Sequence, residues 1–383
     1  MDFFKTFSSN TYAAGANQHI FHMPYDEIRT CRVFYKVTNG GRYNYSLLFS
    51  NILDSTYADG SVSHRNLICD SWKILSARVG KYPPNAFPTD FMSPEKADEI
   101  NARITDFVTL KFEGNASKTV SPGELFCCDA FPYSFESGDY LCLEMTFSGT
   151  TLPYHEETLL PVFQKSETGW AYSVKMPIAH MIGCDRDIKL KIGYLGDSIT
   201  QGIGTAHNSY QHWNALLSEK LGNENAYWNL GIGFARANDA ATDSAWLYKA
   251  KQNDIVFICL GVNDLLQGGS CENLINDLIC IIDLLNKENI KIFLQTVPPF
   301  DYNENDTRKW LTVNRYIVST LSQKVDFLFD IVPVLWESQE HPQMSKYGGH
   351  PDAQGSTIWA DTLYRALKEE SFPQKFQEKR NEN

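Results

Sequence analysis

The feature that most constrains this sequence is a change of rhythm near Asp187, after which short apolar runs alternate with segments of helix length. The runs are Ile188 to Leu195, Ala226 to Leu230, Ile255 to Leu260, Ile290 to Val297 and Phe327 to Ile331. Between them, Tyr210 to Leu221, Ser270 to Glu288 and Thr307 to Lys324 carry apolar residues at helical spacing, and Asp352 to Glu369 adds a further helix. A continuous apolar run of strand length has to be covered on both faces, and strands that recur after helix-length connections pair in parallel. Residues 187–383 are therefore predicted as an α/β domain, a parallel sheet between layers of helices.

Residues 1–186 follow a period of two instead. Val108, Leu110 and Phe112 alternate with Thr109, Lys111 and Glu113, and Leu141, Leu143, Met145 and Phe147 alternate with Cys142, Glu144 and Thr146. Such strands turn one face to a core and one to water, which predicts a separate antiparallel β-sandwich, jelly-roll-like in type. Cys31 to Thr38 and Tyr43 to Asn51 flank Asn39-Gly40-Gly41, a spacing that predicts a hairpin. Lys81 to Ala102, with Pro83, Pro84, Pro88 and Pro94, reads as a long connection, and the charged tail after Pro373 as frayed. A length of 383 residues with 43% hydrophobic content allows both cores.

Open parallel sheets bind ligands beyond the carboxyl ends of their strands. Three runs end there in small polar groups: Gly196-Asp197-Ser198-Ile199-Thr200, Asn229-Leu230-Gly231-Ile232-Gly233 and Gly261-Val262-Asn263-Asp264. A fourth element, Gly348-Gly349-His350-Pro351, precedes the helix at Asp352. A serine hydroxyl becomes a nucleophile when a base takes its proton, and histidine is the side chain suited to this near neutral pH, so Ser198 and His350 form the natural pair. The oxyanion produced on an ester needs preorganised donors, for which the Ser198 N–H, a backbone N–H near Gly233 and the Asn263 amide are the candidates. Taken singly, Ser198 would read as a helix cap, Asn263 as a turn former and His350 as a surface residue; their joint order favours chemistry. Asp197 and Asp264 read as braces of their turns. His155-Glu156-Glu157 and the His19/His22 pair lack the spacing of a metal site, so no metal is expected.

The ordered set of Gly196-Asp197-Ser198, a glycine-containing turn at 231–233, Gly261-Val262-Asn263-Asp264 and a late His350-Pro351 resembles the SGNH (GDSL-like) hydrolase family over residues 188–370. The resemblance implies a three-layer, flavodoxin-like domain and a serine acyl-hydrolase that works through an acyl-enzyme with no cofactor. The G-x-S-x-G elbow of α/β-hydrolases is absent around Ser198. Two positions depart from the family. Its members carry an aspartate three residues before the histidine, where this chain has Tyr347. The third group is then either a backbone carbonyl accepting from Nδ1, as in the Ser-His dyads of some two-domain carbohydrate esterases, or Asp352, whose other reading is the N-cap of its helix. Where relatives read N-x-G-x-x-G, this chain has Phe234 in the last place, so the backbone donor is Gly233 or Phe234 itself.

Leu47-Leu48-Phe49-Ser50-Asn51 is similar to the strand that opens the sandwich of carbohydrate O-acetyl esterases. Together the resemblances imply hydrolysis of a small acyl ester, an acetyl group on a sugar. The rivals are a lipase or thioesterase for longer chains, and a carbohydrate-binding protein with a decayed site, motivated by Tyr347 and 13% aromatic content. A formal net charge of −12 disfavours nucleic acid and anionic membranes as partners. Residues 1–30 show no leader or anchor, and the nine cysteines, odd in number and without a C-x-x-C pair, suit free thiols. The expected setting is cytoplasmic, with homo-oligomerisation left open.

Overall fold

The computed structural model describes residues 3–54, 67–84, 87–242 and 244–374, so most of the charged tail lies outside the described residues. The chain divides into two compact units, Met1–Asp187 and Ile188–Asn383.

The first unit holds two larger antiparallel sheets. One runs Ser8–Ser9, Met181–Cys184, Gly41–Ser50, Leu125–Cys127, with Phe131–Phe135 also on Gly41–Ser50. The other runs Gly169–Tyr172, Val162–Ser166, Ile28–Lys36, Tyr140–Ser148, Trp72–Tyr82, Thr105–Thr109, with Lys118–Val120 joining Trp72–Tyr82. Register makes the core: Val162 opposes Val33, Val33 opposes Leu143 and Leu143 opposes Val79, one fully buried row across four strands. Trp72 and Phe126 bring the two sheets into edge-on contact, centroids 6.3 Å apart.

The predicted hairpin does not form. Ile28–Lys36 and Gly41–Ser50 enter different sheets, and the segment between them is a crossover. Asn10 holds it from far upstream: its Oδ1 accepts from the Asn39 N–H at 3.0 Å and the Thr38 hydroxyl at 3.1 Å, while the Val37 N–H donates to Asp139 at 2.8 Å. Distant partners thus displace the local pairing that an Asn-Gly turn favours. The predicted connection Lys81 to Ala102 contains a helix, Pro94–Ala102, with Ser93 as N-cap and proline in its first turn. This segment lays Phe87, Phe91, Ala97 and Ile100 over Phe34, Cys142 and Phe163. For that reason Cys142, on the face expected to meet water, is buried.

In the second unit five parallel strands, β1 Lys191–Gly196, β2 Ala226–Gly231, β3 Ile255–Cys259, β4 Lys291–Gln295 and β5 Phe327–Phe329, lie in the order β2-β1-β3-β4-β5. Right-handed crossovers put the helix Trp213–Leu221, between β1 and β2, on one face, and the helices Cys271–Asn286 and Glu304–Ser319 on the other. The helix Ala353–Glu369 returns to the first face, where Trp359 stacks on Trp213 at 4.7 Å and donates its indole N–H to Gln295. Strand order reverses at β1, so the crevice beyond the ends of β1 and β3 is where such a sheet can hold a ligand. No helix among the described residues is long and apolar enough to cross a membrane.

Candidate active site

β1 ends at Gly196, and Asp197 caps the short helix Ser198–Gln201 by accepting from the Ile199 N–H at 3.0 Å. Two glycines let this helix sit against the strand ends. A Cβ on Gly196 would lie 2.0 Å from Thr200 Oγ1, and one on Gly231 2.1 Å from the Gln201 nitrogen. Behind the helix, Asn214 donates to the Thr200 carbonyl at 2.5 Å, and Asn229 accepts from the Gly231 N–H at 2.9 Å. At Gly231 the neighbour is backbone that cannot swing aside, so overfilling that space is costly. Gly231→Ala is expected to lower stability by roughly 1–3 kcal/mol, read as a fall in the urea midpoint; an unchanged midpoint would contradict the close approach. Burial pushes Asp197 and Asp264 up to about 7 against the opposing effect of the backbone N–H groups they accept from, so both act as braces within the fold. Asp264 accepts from the Ala237 N–H at 3.2 Å.

Ser198 Oγ lies 2.7 Å from His350 Nε2. His350 belongs to the turn that leads into Ala353–Glu369, and close packing fixes that turn from two sides. Gly204, with φ of 100°, approaches so near that a Cβ there would meet the carbonyls of His350 and Pro351 at 2.6 Å. Opposite, the Phe300 ring meets the imidazole edge to face, centroids 5.2 Å apart and planes at 79°, and Gly349 leaves room for that ring. Asp352 turns away: its carboxylate accepts from the Gly355 N–H at 2.8 Å as the helix N-cap. Tyr347 packs against Gly355. Among the described residues neither a carboxylate nor a backbone carbonyl accepts from His350 Nδ1. Burial lowers the pKa of His350 below the ordinary imidazole value, so the ring is neutral at pH 7 and can take a proton from Ser198.

Asn263 lies in the short helix Val262–Leu266 that follows β3 and donates from Nδ2 to the Ala235 carbonyl at 3.0 Å, leaving a second amide hydrogen. The Ala235 N–H closes a tight turn onto the Ile232 carbonyl at 3.2 Å, and the Ile232 N–H anchors that turn to Gly196 at 3.1 Å. Gly233 takes the second place of the turn and Phe234 the third, with φ of 62°. That left-handed conformation is natural for glycine and costs other residues about 1 kcal/mol. Phe234 thus keeps the backbone that glycine would adopt in this place, and its side chain stays 38% exposed. Ser198, the 232–235 turn and Asn263 follow the adjacent strands β1, β2 and β3.

Sequence reasoning passed over Asn214, Gly204 and Phe300. Phe300 was within reach of the strand-end rule, since it follows β4 by five residues; Asn214 and Gly204 carry no local signal. In the first unit His19 pairs with Glu156 at 3.0 Å and His155 is buried. Among the described residues no group of three acidic, histidine or cysteine side chains could hold a metal ion.

Residues 194–358 match the model of the GDSL-like Lipase/Acylhydrolase family. No curated protein matches the chain. Among solved structures, the acetyl xylan esterase AlAXEase is 22% identical, with 46% of this chain and 99% of that one covered and a TM-score of 0.37. TesA is 24% identical over 47% of this chain and 98% of its own, with a TM-score of 0.39. The psychrotrophic esterase EstA from Pseudoalteromonas sp. is 17% identical over 47% and 98%, with a TM-score of 0.37. The family match covers less than half of the chain, falls on the strands and turns that carry Ser198, Asn263 and His350, and supports an ester hydrolase.

Proposed function

We propose that the protein is a serine esterase that removes small acyl groups, acetyl above all, from a carbohydrate. The observation that carries this reading is the 2.7 Å contact between Ser198 Oγ and His350 Nε2 at the carboxyl end of β1. In the first half-reaction the Ser198 proton passes to Nε2 as Oγ attacks the acyl carbon, and the oxyanion is held by the Ser198 and Gly233 N–H groups and the Asn263 amide. Collapse expels the alcohol, which takes the proton back from Nε2. Water then repeats the attack on the acyl-enzyme and releases the acid. The cycle calls on no metal or organic cofactor.

Two features support a short acyl chain. Ser198 is only 7% exposed at the start of its short helix. The Leu47–Asn51 strand is also similar to that of two-domain carbohydrate O-acetyl esterases. Turnover of p-nitrophenyl acetate, butyrate and octanoate tests the reading. We expect kcat/KM to fall at least about tenfold from acetate to octanoate, the discrimination that a few misplaced methylenes can produce. A preference for octanoate would favour the longer-chain lipase or thioesterase, and no serine-dependent turnover of any ester would favour a carbohydrate-binding protein.

A further inference from the structure

We infer that Phe300 is the positioning residue of His350, an aromatic ring performing the orienting task for which serine hydrolases use a carboxylate. The inference rests on the assignment of Ser198 and His350 above. A catalytic imidazole must be held in one plane so that Nε2 stays on the nucleophile. The charged groups near this turn are engaged elsewhere. Asp352 accepts from Gly355, Asp301 from the Ser345 N–H at 2.8 Å and Asp197 from Ile199, while the Lys346 ammonium lies over the Tyr347 ring at 5.5 Å. The imidazole meets Ser198 at one end and the Phe300 ring at its side.

Phe300 can act as a fixed wall because its own loop is fixed. The Val297 N–H donates to Asn314 Oδ1 at 2.8 Å, and the Val297 carbonyl accepts from Trp310 Nε1 at 2.8 Å and Asn314 Nδ2 at 2.9 Å. Pro298 and Pro299 follow, each with φ locked by its ring, and the Tyr302 hydroxyl donates to the Pro298 carbonyl at 3.2 Å. The same loop is tied to the segment that delivers His350. The Asp301 N–H donates to the Gln343 carbonyl at 3.0 Å, the Ser345 N–H donates to Asp301 Oδ1, and the Ser345 hydroxyl donates to the Gly348 carbonyl at 2.5 Å. Ring and imidazole therefore sit on two loops joined by hydrogen bonds, with Gly349 shaped to let them meet.

A phenyl ring differs from a carboxylate in its electrostatic effect. A carboxylate raises the proton affinity of its histidine; an apolar ring shields the imidazole from water and lowers it. The direction found for His350 is the lowered one, with burial as its cause. This base should stay neutral, and the enzyme active, to a lower pH than a triad histidine would allow.

The test uses the full-length protein with Phe300→Ala and Phe300→Leu. Steady-state turnover of p-nitrophenyl acetate is followed across pH, and the His350 ring is titrated by NMR. In Phe300→Ala, kcat should fall roughly tenfold with KM little changed, well short of the 10²–10⁴ attached to a general base itself. The NMR titration and the acid limb of kcat/KM should both move up toward the ordinary value of about 6.5. Phe300→Leu, which keeps apolar bulk without a flat face, should fall between, and it carries the test where Phe300→Ala fails to fold. An unmoved titration with unchanged kcat, or a loss confined to KM, would overturn the inference. Absence of serine-dependent turnover in the wild type would instead sink the esterase reading, while the NMR titration would still decide whether Phe300 governs His350.

Discussion

Ser198→Ala and His350→Ala should each lower kcat for acetate esters by roughly 10⁴-fold or more, and the double variant should lose little beyond either single one. The reason is geometric. Ser198 Oγ and His350 Nε2 share one short contact, so removing either end stops the same proton transfer. What survives should be the modest rate that binding and the oxyanion donors supply without the nucleophile. A fluorophosphonate probe should label the wild type and fail on Ser198→Ala, with circular dichroism showing all variants folded. Turnover in folded Ser198→Ala within about tenfold of wild type would remove Ser198 as nucleophile, since the loss expected of a working serine is orders of magnitude larger. Losses that multiply in the double variant would mean that the two residues act in separate steps.

Asn263→Ala should cost about 10²–10³ in kcat, the range found when one oxyanion donor is removed, with KM within a few-fold. One amide hydrogen of Asn263 holds the Ala235 carbonyl, and the second is the one proposed for the oxyanion. Asn263→Asp separates these two tasks. It keeps the shape but replaces the donor with an acceptor that carries charge above its pKa, so it should be at least as damaging as alanine near neutral pH. If both variants keep wild-type kcat and lose only stability, the side chain serves the 232–235 turn alone.

The parallel sheet was legible because its signal is local. An apolar run such as Ile255 to Leu260 must be buried on both faces, and β3 occupies Ile255–Cys259. The hairpin at Asn39 was misread because its outcome depends on Asn10 and Asp139, which no window around the turn contains. Helix Pro94–Ala102 was hidden among prolines, although Ser93-Pro94 is itself a helix-start signal. In the site, Ser198, Asn263 and His350 stand out as residue types at strand ends. Phe300 does not, because an aromatic after a strand looks like core until its ring is placed against an imidazole. Asp352 has two chemically sensible uses in sequence, and only the fold shows its carboxylate spent on Gly355.

The contact between Ser198 and His350 spans 152 residues and joins the first strand of its unit to the turn before the helix Ala353–Glu369. During synthesis the proposed nucleophile therefore leaves the ribosome long before its proposed base. Without His350 beside it, Ser198 is an ordinary serine with the weak reactivity of a free alcohol. Under the proposed assignment, a nascent chain that ends before His350 has no armed serine with which to attack esters indiscriminately.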